Sequence, residues 1–190
     1  NPARSTNGLT NAEQKRLPQL QLLTAKPVLY ICNVAEADVA TGNSYSQKVA
    51  DMATAQQAGH VIVSAAIEAE ISQLDAGDKV EFLAELGLEE AGLARLIRAG
   101  YGLLNLLTFF TVGPKEARAW TVMKGATAPQ AAGVIHTDFQ RGFIRAETIS
   151  YDDYIACKGE PGAKEAGKFR VEGAEYKVVD GDVFHFRFNV

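Results

Sequence analysis

Two cysteines, Cys32 and Cys157, are too few and too far apart for a disulfide framework, and no Cys-x-x-Cys pair exists. Both read as free thiols, Cys32 inside a buried strand. The three histidines, His60, His136 and His185, are scattered with no second ligand at metal spacing, so no metal site built from protein ligands alone is expected. No apolar run approaches the ~20 residues a membrane helix needs, and no charged, apolar, small-residue leader is visible. A cytoplasmic protein with no membrane partner is therefore expected. A basic excess is also missing: residues 1–106 carry 8 Lys+Arg against 12 Asp+Glu, and residues 107–190 carry 11 against 11. A sequence-specific duplex-DNA binder would usually show one, so only a local basic patch is left open.

The parts of a phosphoryl-transfer enzyme are missing as well. Gly162-Ala-Lys-Glu-Ala-Gly-Lys168-Phe169 matches most of a phosphate-binding loop, but Phe169 stands where a Ser or Thr hydroxyl must hold magnesium. No buried strand precedes it and no long helix follows. A mobile polar loop accounts for its Gly, Lys and Glu content. No Asp-x-x-Gly, catalytic triad or nucleophile elbow is recognisable either.

What is present is an ordered series of elements. Asn1–Gly8 reads as a polar linker; with no Met at position 1, the chain is expected to be the downstream part of something longer. Thr10 to Leu23 predicts a helix, with Thr10 and Glu13 as a capping box and Pro18 against it. Val28–Cys32, apolar throughout, predicts a parallel strand covered on both faces. Ser44–Ala58 predicts a helix capped by Ser44 and Gln47, and Val61–Val63 a second strand, which makes a βαβ unit. Glu68–Leu74, Asp78–Leu86 and Glu89–Leu106 predict further helices. After Leu106 the pattern turns to strands, "LLTFFTV" and "EARAWTVM", joined at Gly113-Pro114-Lys115. Next come a helix capped by Thr127, the strand "GFIRAETIS", a short helix capped by Ser150, the polar loop, "EYKVV", an Asp180-Gly181 turn and an alternating terminal strand. Two strands, a helix and further strands around one sheet describe a β-grasp-like α+β unit.

One junction raises a chemical question. The apolar run to Cys32 ends in Asn33-Val34-Ala35-Glu36, an amide and a carboxylate three residues apart. On its own this is either a purine-base pocket or an ordinary strand end with a helix cap. The surrounding blocks, "KPVLYICNVAE", "SAAIEAEI", "ELGLEEAGLARLIRAGYGLLNLLTFFT", "KEARAWTV", "GATAPQAAGVIHTDFQRGFIRAETI" and "KGEPGAKEAGKFRVEGAEYKVVDGDVFHFRFNV", resemble the Obg-like ATPases, the YchF subfamily of P-loop NTPases, from about Leu9 to Val190. The resemblance implies a partial P-loop NTPase domain of α/β class followed by an α+β β-grasp (TGS) domain. Residues 1–26 would be linker and the end of a helical insertion, 27–106 the C-terminal part of the nucleotide-binding domain, and 107–190 the TGS domain. The P-loop half would lie upstream.

Related GTPases read guanine with Asn-Lys-x-Asp. Here Val34 replaces the Lys and Glu36 lengthens the carboxylate by one methylene. Guanine offers a carboxylate two adjacent N–H donors and adenine offers none on that edge, so losing this geometry erodes guanine selectivity. The resemblance thus implies a base site at Asn33, Val34, Glu36, Ser64, Ala65 and Ala66, with ATP preferred, GTP as the alternative, and Mg in the intact protein. Triphosphate binding draws on the P-loop and Mg²⁺, so no nucleotide is expected tightly bound to these 190 residues and no hydrolysis by them alone.

For the TGS-like part the resemblance implies contact with the ribosome or RNA. The chain ends in Phe188-Asn189-Val190, not in the Gly-Gly of a sulfur carrier or ubiquitin-like modifier, and it lacks a ferredoxin's four cysteines. Arg141, Arg145, Lys158, Lys164, Lys168 and Arg170 are candidates for an RNA-contacting patch; solvated charges among the interleaved acids are the other reading. Any exposed aromatic among Trp120, Phe139, Phe143 and the terminal Phe series could stack on RNA bases. His136 is a helix-capping residue or a catalytic one. A non-enzymatic protein-interaction module regulated by nucleotide is the competing function. Oligomeric state is not legible.

Overall fold

The computed structural model describes residues 10–189, so the linker expected at Asn1–Gly8 lies outside the described residues. The chain divides between Leu104 and Asn105 into two compact units.

In the first unit the capping box forms as Thr10 and Glu13 exchange bonds, the Thr10 N–H donating to Glu13 Oε2 at 2.8 Å. The helix it starts, α1 (Asn11–Arg16), is shorter than expected and passes into 3₁₀ turns at Leu17–Leu20 and Leu23–Ala25. Position 18, a proline, has no N–H to continue an α ladder. β1 (Leu29–Asn33) and β2 (Gly59–Val63) pair in parallel from Leu29↔Gly59 to Asn33↔Val63, joined through α2 (Ser44–Ala55). The expected cap of α2 is corrected by one residue. Asn43 is the N-cap, its Oδ1 accepting the Tyr45 and Ser46 N–H groups, and Ser46 closes the box. Gly42 before it has φ +77°, and a Cβ there would press on Ser46 and Ile62.

α3 (Ala65–Ile71), α4 (Ala76–Glu85) and α5 (Gly92–Leu104) follow. α2 and α5 pack on the strand pair. The expectation of a strand covered on both faces fails at Ile31, which is 54% exposed while its neighbour Cys32 is buried. A pair of strands has one edge of β1 unpaired among the described residues. The buried cluster is small: Val39, Ile67 and Ile71, flanked by Val34, Phe82, Leu83, Leu86 and Leu88. Ile67 and Ile71 reach it together because they are four residues apart on one helix.

The second unit is a five-stranded mixed sheet. β3 (Leu106–Val112) and β4 (Ala117–Met123) form a hairpin closed by the Gly113 N–H donating to the Glu116 carbonyl at 2.9 Å. α6 (Ala128–Ile135) starts at Thr127 and Gln130, a capping box with Pro129 in the first turn. His136 caps α7 (Thr137–Arg141), its Nδ1 accepting the Asp138 N–H at 3.2 Å, which is the capping reading of that histidine. Then come β5 (Phe143–Ser150), α8 (Tyr151–Ala156) capped by Ser150, α9 (Glu160–Glu165), β6 (Arg170–Glu172) and β7 (Asp182–Phe188). The sheet order is β4-β3-β7-β5-β6, with β3 and β7 parallel and the other pairs antiparallel.

Alternation along β7 sends Phe184, Phe186 and Phe188 to the α6 face and His185 and Arg187 to the other. Phe109 and Phe184 meet edge to face at 5.6 Å, Phe109 and Phe186 at 6.1 Å. Around them Val122, Ala126, Ala128, Ala131, Ala132, Ala146 and Val178 complete one core. Small residues on α6 let the helix sit close to aromatic strands.

Two expectations here are corrected. The supposed mobile polar loop contains α9 and β6, and Ala163 within it is fully buried. Its phosphate-loop look has a packing origin. A Cβ at Gly162 would run into the Cys157 carbonyl, and Gly167, φ +68°, ends α9. "EYKVV" adds no strand to the sheet; Lys177 makes an isolated bridge to Thr127, while the Val178 N–H donates to the Ala126 carbonyl at 3.0 Å.

Candidate functional site

Parallel register brings the carboxyl ends of β1 and β2 level at Asn33 and Val63, the side of an open α/β sheet where ligands bind. There the Asn33 side chain crosses to the second strand's exit: its Oδ1 accepts the Ala65 N–H at 2.9 Å. The Val34 N–H donates to the Val63 carbonyl at 2.9 Å, which extends the pairing one step. Asn33, Ser64 and Ala65 are thus brought together. Ser64 is 1% exposed and precedes α3 without capping it by its side chain, so its Oγ is buried with no hydrogen-bond partner. An unsatisfied buried hydroxyl costs about 1–3 kcal/mol, and at this position a polar group of a bound molecule would satisfy it. Ala65 and Ala66 are exposed and put only methyl groups beside that approach.

Two candidates sit differently. The half-buried Val34 side chain packs against Val39, Ile67 and Ile71, anchoring the strand exit. Glu36 is exposed in the 3₁₀ turn Glu36–Asp38. That turn is tied to α2 because the Asn43 side-chain amide donates to Asp38 Oδ2 at 2.8 Å. Glu36 therefore projects from a braced turn with its carboxylate accessible.

Glu68 was missed by sequence reasoning. Its two oxygens accept the Gly92 and Leu93 N–H groups at 2.7 and 3.1 Å, capping α5 from α3. No local pattern signals a cap supplied from 24 residues away.

Five of the six candidate cations lie beside carboxylates. Arg141 lies 3.8 Å from Asp138 at the end of α7. Arg145 is on the sheet, 3.4 Å from Glu147. Lys164, Lys168 and Arg170 each face a carboxylate, Glu160 at 2.6 Å, Asp153 at 3.4 Å and Asp182 at 3.3 Å, and Lys158 follows α8 with φ +57°. Arg187 joins Arg145 around Glu147, donating to both its oxygens at 3.1 and 3.0 Å, with His185 3.8 Å away. The Arg187 hydrogen bonds hold the Glu147 carboxyl below the usual carboxylate range despite its burial. Asp182, 2% exposed, accepts from Tyr176, Arg170 and the Val179 N–H; burial pushes its carboxyl up against those donors. Arg187 and His185 were legible as the polar phase of the β7 alternation.

Comparison with known proteins places this geometry in a family. The family profile YchF-GTPase_C, described as "Protein of unknown function (DUF933)", matches residues 106–189. The "Ribosome-binding ATPase YchF" of Haemophilus influenzae is 58% identical over 96% of this chain and 50% of that protein, and its Bacillus subtilis counterpart is 54% identical over 100% and 52%. The solved structure of the Schizosaccharomyces pombe YchF GTPase superposes with a TM-score of 0.78 at 35% identity, covering 98% of this chain and 50% of that one. A GTP-binding protein from Pyrococcus horikoshii, TM-score 0.60 at 17% identity, shares the fold. The chain has the mixed α/β architecture of these P-loop NTPase relatives. It matches the C-terminal part of members of the YchF subfamily of Obg-like P-loop NTPases, with residues 106–189 in the YchF-GTPase_C family. It spans about half the length of the curated relatives it matches.

Proposed function

We propose that residues 27–104 form the base-reading part of a nucleotide-binding domain, and that residues 105–190 are a TGS-type β-grasp module that contacts the ribosome or RNA. The intact protein would be a cytoplasmic, ribosome-associated ATPase. The observation that carries the nucleotide reading is the Asn33 amide bonded to the Ala65 N–H beside the unpartnered Ser64 hydroxyl, at the carboxyl ends of two parallel strands. Glu36, accessible and one methylene longer than an aspartate, is placed to relax guanine reading, and the name carried by the bacterial relatives supports ATP. Mg²⁺ and the triphosphate would be held by residues outside this chain; its own residues orient the base and bound the cleft. Sheet order supports the module reading: numbered within the unit, the strands run second, first, fifth, third, fourth, with a helix between second and third.

The test uses a protein of the relatives' full length carrying this segment. Its co-sedimentation with ribosomes is compared with that of a form lacking residues 105–190; equal binding removes the module's role. Titrating ATP and GTP into Glu36→Asp should move selectivity toward GTP, and an unchanged ratio removes Glu36 from base reading.

A protein-interaction reading has its own support. Phe110, Val112, Ala119, Tyr151, Tyr154 and Ile155 line a groove of about 390 Å³ on the sheet face opposite α6. Binding that persists in high salt favours this reading, whereas contact through Lys and Arg with RNA weakens steeply.

A further inference from the structure

β3 and β7 part company inside the sheet. Their parallel register ends at Thr111↔Phe184, yet β7 continues through Phe188 while β3 turns away at Val112 into the hairpin. The space between the hairpin tip and the end of β7 is a slot of about 490 Å³, within the ~300–1,000 Å³ range of small-ligand pockets. Phe184 and Phe186 are buried in its lining, and Trp120, Phe139, Phe188 and Ile135 are its half-exposed walls. The walls are set in place before any ligand arrives. Phe139 and Phe188 stack at 3.8 Å, the Trp120 indole N–H donates to Thr111 Oγ1 at 2.8 Å, and the Arg118 guanidinium lies 4.1 Å from the Trp120 ring.

Two cations and one carboxylate stand at the mouth of the slot: Lys115 and Glu116 line it, and Arg118 lies over the Trp120 ring. Lys115, at the hairpin tip, has no carboxylate within 4.0 Å among the described residues; Arg118 has only the long, exposed contact to Glu116 at 3.9 Å. An apolar peptide side chain would use the aromatic walls and leave these cations unused. A nucleotide offers a ring face to the one and a phosphate to the other. We propose that this slot takes one unpaired base of single-stranded RNA, with Lys115 and Arg118 on the flanking phosphates. The proposal rests on reading residues 105–190 as the RNA-contacting module and names the part of it that makes the contact.

Trp120 is the sole tryptophan, so its emission reports on the slot. The whole 190-residue chain is titrated with a six-nucleotide oligo(A) RNA and with an abasic oligomer of equal length and charge. The expected result is a saturable change with oligo(A) and little with the abasic strand. Lys115→Glu, on an exposed turn, should weaken binding about tenfold and flatten its salt dependence. Phe139→Leu, with fold checked by circular dichroism, should weaken it about fivefold or more. No response to oligo(A), an equal response to the abasic strand, or parent-like binding by Lys115→Glu overturns the proposal. So does an emission change that RNA-free ribosomal protein produces and oligo(A) does not compete away, which assigns the slot to a protein side chain. If Trp120 is silent while ribosome co-sedimentation still requires residues 105–190, the slot is rejected and the module reading stands. If co-sedimentation ignores residues 105–190 but Trp120 still answers oligo(A), the module reading fails and the slot survives.

Discussion

The two units hold themselves together differently. Residues 105–190 wrap a five-stranded sheet around one aromatic core, with Phe109 and Phe184 almost wholly buried and satisfied capping on α6, α7 and α8. Residues up to 104 rest on two strands and a three-residue buried cluster, while Ile31, Leu93, Ile97 and Leu104 are each more than half exposed. An isolated pair of strands is marginal in water and depends on what packs against it. The proposed nucleotide cleft thus sits in the unit with less core, and its geometry depends on a few polar ties: Asn33 to Ala65, Asn43 to Asp38, and Glu68 to the start of α5.

The strongest way to sharpen this contrast is Phe109→Ala. Removing a fully buried ring that contacts Phe184 and Phe186 should cost about 3–5 kcal/mol, read as loss of near-UV dichroism and a lower denaturation midpoint. Ile67→Ala, also fully buried but in the smaller cluster, should cost about 2 kcal/mol; a loss equal to that of Phe109→Ala would break the comparison. Glu68→Ala leaves two N–H groups of α5 without their acceptor and should cost about 1 kcal/mol, seen as faster hydrogen exchange at Gly92 and Leu93. The smallest effect is Glu147→Gln, within about 1 kcal/mol at neutral pH because Arg145, Arg187 and His185 are about half exposed. Its signature is in pH dependence. A carboxyl held below its unfolded value contributes stability above the ordinary carboxylate range and loses it as pH falls through the folded value. Glu147→Gln should therefore flatten the acid limb of a stability–pH curve below about pH 4.5.

Legibility in the sequence followed how local each cause is. The Thr10–Glu13 box, the Thr127 and Ser150 caps and the β7 alternation depend on neighbours within a few residues, and those elements start where the pattern put them. The α2 cap slipped from Ser44 to Asn43 because both residue types cap well, and Asn43 also donates to Asp38, 5 residues earlier. α9 was hidden because Gly162 looks like a loop residue until the Cys157 carbonyl is packed against it. At the proposed cleft, the resemblance singled out Asn33 and Ser64-Ala65, and parallel register brings them together. The inward turn of Val34 and the remote Glu68 cap depend on contacts between α3 and the rest of the unit, which no local spacing records.

The most direct test of the nucleotide reading is ATP titration of the full-length protein with Asn33→Ala. Losing the side chain that ties the two strand ends together should raise the dissociation constant about tenfold while the fold persists. A constant within about twofold of the parent's would contradict a base cleft between Asn33 and the Ser64-Ala65 bend.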